Sequence, residues 1–88
     1  MMADDVNGLS DKALSIFAFA AYHRLVSGER VTSVIRKDGA GHEADPAGVR
    51  ELEERGLVTV GETDIDLGDT AQATVEAMVA ALRGAVGR

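Results

Sequence analysis

Eighty-eight residues suffice for one small domain, near the size at which burial only just offsets chain entropy, so dimerisation is a natural source of extra core. The lack of cysteine excludes a disulfide framework and a thiolate metal site and fits a reducing cytoplasm. No basic region precedes an apolar run and no segment nears about 18 uninterrupted apolar residues, so neither a signal peptide nor a membrane helix is expected. A net charge of -6 sets the chain as a whole apart from nucleic-acid binders, whose surfaces are usually basic.

Residues 1–8, with Asp4, Asp5, Asn7 and Gly8, read as a frayed acidic lead-in without an assigned role. Ser10 is a helix cap, Leu9 and Leu14 have the spacing of a hydrophobic staple, and Gly28 is a terminating glycine, which predicts a helix over 11–27. At about 100° per residue, Leu14, Phe17, Ala18, Ala21 and Leu25 form one apolar face, expected to meet the core. Ile16, Phe19 and Val26, with Ala20 beside them, form a second. A helix apolar on two sides needs two surfaces to bury against: the second is another subunit, or the N-terminal segment or last helix of the same monomer.

Between Glu29 and Asp38 the residue types and the spacing disagree. Val31, Thr32, Val34 and Ile35 favour a strand, while the spacing of Val31, Val34 and Ile35 is helical. Residues 39–44 form a glycine-rich turn. Asp45 as cap and Pro46 at the first helical position open a helix over 46–55, with Val49 and Leu52 inward, and Gly56 ends it. Leu57, Val58 and Val60 then read as a strand, Gly61-Glu62-Thr63 as a turn, and Asp64-Ile65-Asp66-Leu67 as a half-buried returning strand, a hairpin over 57–67. Asp69 and Gln72 have capping-box spacing before a helix over 70–83, whose stripe is Ala71, Val75, Met78, Val79, Leu82 and Val86. Its other side carries Ala73, Ala77, Ala80, Ala81 and Gly84, either a seam for close helix approach or plain good helix formers.

The phrase Leu52-Glu53-Glu54-Arg55-Gly56-Leu57-Val58, the hairpin after it and the helix opening Leu67-Gly68-Asp69-Thr70-Ala71 resemble the winged-helix family, especially MarR-type bacterial regulators. The resemblance covers about residues 29–83. It implies one mainly α domain over 1–88 with a small β-hairpin: a winged helix-turn-helix flanked by a long N-terminal and a C-terminal helix. It also resolves the ambiguous segment into a brief strand near Val31 that pairs with the wing, then a short helix over 33–38 capped by Thr32, the first helix of the motif.

The family mechanism would set the 46–55 helix in a DNA major groove and the 61–64 hairpin tip against the minor groove or backbone. Base readout would then centre on Arg50, and phosphate contacts would come from Arg30, Thr32, Ser33, Arg36 and Lys37. The cations from Arg24 to Lys37, opposed only by Glu29, favour this reading; the alternative is ordinary solubilising charge. Glu62 and Asp64 stand where DNA-binding relatives commonly carry a basic residue. In MarR-type proteins the terminal helices build the dimer, which would make Ile16, Phe19, Val26, Ala73, Ala77 and Ala80 the interface of a homodimer.

Enzymatic signals are poor: His23 and His42 sit in no nucleophile or metal spacing, His42-Glu43-Ala44-Asp45 reads as solvated loop, and the glycines near Ala40 lack the ending of a phosphate loop. No enzyme activity, metal or cofactor is expected. Two functions therefore stand: a small dimeric DNA-binding transcriptional regulator, or an acidic winged-helix module that binds another protein through its terminal helices or its wing.

Overall fold

The computed structural model describes residues 8–37 and 43–87. Its elements are α1 (Asp11–Ser27), β1 (Ser33–Ile35), α2 (Pro46–Glu54), β2 (Val58–Val60), β3 (Asp64–Leu67) and α3 (Asp69–Ala85). Three helices and a three-stranded antiparallel sheet in the order β1-β3-β2 make a small domain compatible with a winged helix. No helix is long and apolar enough, among the described residues, to cross a membrane.

Local chemistry sets most of the helix ends. The Ser10 hydroxyl accepts from the Ala13 N–H at 3.2 Å, and Gly28 closes α1 at φ 78°. One Asp45 oxygen accepts from Ala47 and Gly48 N–H at 2.9 and 3.1 Å to open α2. At its other end Gly56 N–H bonds Glu53 O and Leu57 N–H bonds Leu52 O, both at 3.0 Å, with Gly56 at φ 75°. That pair of bonds reverses the chain directly into β2. The start of α3 differs from the capping-box expectation. Gly68 is the cap and contributes no side chain; Gln72 instead turns back to donate to Leu67 O at 2.8 Å.

The helix expected over 33–38 is not formed at its start, since Ser33–Ile35 is strand β1; Asp38 lies outside the described residues, as do 39–42 of the expected turn. The branched side chains decide in favour of the strand because β3 gives them a ladder: Val34 sits opposite Ile65, with Ser33 opposite Asp66 and Ile35 opposite Asp64. Leu67 N–H to Thr32 O and Arg36 N–H to Thr63 O, both 2.8 Å, extend it at either end. The strand that pairs with the hairpin thus begins two residues beyond Val31 and occupies the start of the expected helix.

The core lies between the helices and one face of the sheet, with Phe17, Leu52, Leu57, Ile65, Val75 and Val79 fully enclosed. The core face of α1 is Ala13, Ile16, Phe17, Ala20 and Ala21. Leu14, Ala18 and Leu25, expected inside, are exposed. The rotation follows from the contact with α2. A Cβ on Gly48 would stand 2.5 Å from Lys12 O and 2.7 Å from Lys12 C, so the two backbones approach closer than any side chain permits.

Gly48→Ala tests that crossing. Alanine gains up to about 1 kcal/mol in helix propensity, but its methyl group meets backbone that cannot step aside, and overpacking costs about 1–3 kcal/mol. Net destabilisation is expected, seen in denaturant or thermal unfolding; a variant as stable as the parent would show that the helices separate freely.

Candidate functional site

The residues expected to hold DNA are spread over three elements, and several are engaged with the protein itself. Arg30 donates from Nε to the Gln72 side-chain oxygen on α3 at 2.9 Å. Arg36 donates from its guanidinium to Gly61 O in the hairpin turn at 3.0 Å, so it braces β1 against the hairpin. Thr32 and Ser33 are exposed at the start of β1. Lys37 is exposed and its backbone bridges to Glu43, while Arg50 is exposed on α2. Glu43 and Asp45 lie between these last two along the chain, and Glu54 follows Arg50 by one helical turn.

The other outward residues are acidic. Glu53 and Glu54 are exposed on α2 and Glu62 in the turn; Asp64 and Asp66 line the solvent face of the sheet beside Ile35, Ser33 and Thr59. Glu51 turns away from the face expected to read bases. Its carboxylate accepts from the Ser10 Oγ–H at 2.5 Å and the Ser10 N–H at 3.0 Å, at the amino end of α1. Those two hydrogen bonds, with the charge of Arg55, hold its pKa below the ordinary 4.5.

The helical surface has a different character. Arg24 Nε meets Glu76 Oε2 at 2.7 Å, joining the end of α1 to the first half of α3. Further along, an open groove of about 420 Å³ is lined by Ala18 and Ala21 from α1 and by Met78, Ala81, Leu82 and Ala85 from α3. Numbers rise on one helix as they fall on the other, so the two run antiparallel. Around the groove Leu14, Leu25, Leu82 and Val86 stay exposed, the last two at 51% and 69%. Leu82 and Val86 continue the apolar stripe read from the sequence, but α3 runs past the body of the domain and Val79 is its last buried residue.

The interface residues inferred from sequence need correction. Ile16 is only 3% exposed and packs inside the monomer, so it cannot form a subunit surface. Phe19 is half-buried with its ring 4.5 Å from that of His23, edge to face, and it borders a smaller hollow of about 260 Å³ with Ile16, Val34 and Ile35. Ile16 and Phe19 of the second apolar face therefore lie beside β1 and residues 43–45, while Val26 is 68% exposed. Val26, Ala73, Ala77 and Ala80 are exposed but do not line the groove. The stripe Leu14-Ala18-Ala21-Leu25 was visible in the sequence; assigning it wholly to the core concealed the groove.

No group of three or more His, Cys, Asp or Glu that would hold a metal ion occurs among the described residues, and His23 packs against the rings of Phe19 and Tyr22. His42 lies outside them. Comparison with models of known protein families, with curated proteins and with solved structures finds no match for the chain.

The Glu51 contact predicts a pH dependence. A carboxylate whose pKa is depressed on folding contributes stability above its unfolded pKa and loses it as pH falls through the folded value. Stability should decline as pH drops below about 4.5 and beyond. Glu51→Gln should be less stable than the parent at neutral pH, with the gap narrowing in acid. Parallel unfolding curves from pH 7 to 3 would remove Glu51 from this role.

Proposed function

We propose that this chain is an acidic winged-helix module that binds protein, not DNA, through the face shared by α1 and α3. The observation that carries this reading is the apolar groove between those helices, flanked by exposed Leu14, Leu25, Leu82 and Val86. Among the described residues, every exposed large apolar side chain except Ile35 belongs to α1, α3 or the α3 cap. Leu14 and Leu25 share one stripe of α1 with the groove residues Ala18 and Ala21, and contiguous exposed apolar surface of this kind marks an interaction site.

The charge pattern supports the same reading. A wing with Glu62 at its tip and Asp64 and Asp66 beside it repels phosphate, and the Arg36 guanidinium there is occupied by Gly61 O. The described start of the expected first helix, Ser33–Ile35, is strand β1 and supplies no helical partner to steady α2 on a DNA backbone. The dimeric regulator remains a second reading on one observation: Lys37 and Arg50 both face solvent.

Titration with mixed-sequence duplex DNA separates the two. The expected result is no association at about 50 mM salt from protein that is folded by circular dichroism. Three or four phosphate contacts would give binding there that falls on the order of a hundredfold by about 200 mM. Such binding, weakened further by Lys37→Ala and Arg50→Ala, would overturn the protein-binding reading in favour of the regulator.

A further inference from the structure

We infer that the smaller hollow, between α1, β1 and the segment entering α2, binds a compact primary ammonium: a short-chain or single-ring amine in its protonated form. The site shares no residue with the α1–α3 groove, so it stands apart from the protein-binding reading.

The size of the hollow limits the ligand first. Its volume of about 260 Å³ falls below the roughly 300–1,000 Å³ of a drug-sized site. A single ring with a short arm suits such a space, and a nucleotide does not.

The walls then require an apolar body. Ile16 and Phe19 come from α1, Val34 and Ile35 from β1, and Ala44 from the segment before α2. Ile16 and Val34 belong to the core, which fixes the floor, while Ile35 stays exposed at the margin. Hydrocarbon placed there leaves water and covers part of Ile35 as well.

The three polar side chains of the lining offer acceptors only. The Ser15 hydroxyl donates its one proton to Lys12 O at 2.6 Å, which leaves lone pairs for a ligand. Asp45 spends Oδ1 on the N–H groups of Ala47 and Gly48 and keeps its other oxygen. Glu43 is exposed, with its backbone bridged to Lys37, and among the described residues neither carboxylate enters an ion pair. A ligand that satisfies this set must donate hydrogen bonds and carry positive charge. A primary ammonium brings three N–H donors and the charge that strengthens each bond to a carboxylate. The same oxygens repel a carboxylate or phosphate, and a neutral alcohol has one donor for all of them. A chain of net charge -6 also draws cations toward its surface.

Titrating the isotope-labelled chain with phenethylammonium chloride, phenylacetate and phenethyl alcohol at constant ionic strength, read by amide chemical shifts, tests this. Saturable shifts centred on Ser15, Phe19, Ile35 and Glu43 are expected with the ammonium, and affinity at least about tenfold weaker for the other two probes. Glu43→Gln and Asp45→Asn should each weaken the ammonium about tenfold. Asparagine caps a helix as well as aspartate, so α2 keeps its start. Nα-acetyl-lysine amide stands for a lysine on a protein partner; weaker binding than phenethylammonium supports a free amine as the ligand, and tighter binding overturns it. Equal affinity for the three first probes, unsaturable shifts spread over the surface, or folded variants that bind as the parent does would overturn the inference. Should a variant fail to fold, the order of the probes on the parent chain decides alone.

Discussion

The close crossing of α1 and α2 sets the arrangement of the rest of the domain. Gly48 and Glu51 lie three residues apart on one face of α2, and both address the first turn of α1. Glycine lets the helix backbones touch, and the carboxylate takes the free donors of Ser10 where the helix dipole favours negative charge. Neither contact tolerates much rotation of α1 about its axis. Ala13, Ile16, Phe17 and Ala20 are consequently turned inward, and Leu14, Ala18 and Leu25 are carried to the flank beside α3. The groove is thus a consequence of how α1 is clamped at its opposite end.

The features readable from sequence were those whose cause is local. Ser10, Gly28, Asp45 with Pro46, and Gly56 mark helix ends through bonds made within a few residues, and the structure uses them in that way. The orientation of α1 was not readable, because apolar residues nearly encircle it and only the distant Gly48 selects a face. At Ser33–Ile35 the residue types pointed to a strand, and the family resemblance pointed to a helix. The strand prevailed because Ile65, thirty-one residues beyond Val34, supplies its partner. Periodicity identified the stripe of α3 but not where the body beneath it ends, short of Leu82 and Val86.

The candidate site shows the same limit for charge. Counting cations from Arg24 to Lys37 described a basic segment correctly but gave no account of their engagement. Arg24 is held by Glu76, Arg30 by Gln72 and Arg36 by Gly61, partners 52, 42 and 25 residues away. A long basic side chain that already serves as a tie between elements must break that tie before it can hold a phosphate. The cost of each is modest at an exposed position, yet together they subtract from the attraction that an acidic wing already opposes.

The far end of α3 carries the physical case for assembly. From Ala80 to Gly87 every residue is exposed, so the last turns of the helix enclose no side chain in the monomer. Helical turns are marginal in water without packing, and the end of α3 closes with bonds from Val86 N–H and Gly87 N–H to Gly84 O. Alanine-rich composition favours the helical state there but does not require Leu82 or Val86, whose exposure to water is unfavourable. The same stretch has no acid to offer solvent. A partner on the proposed protein-binding face would shield Leu82 and Val86 from water.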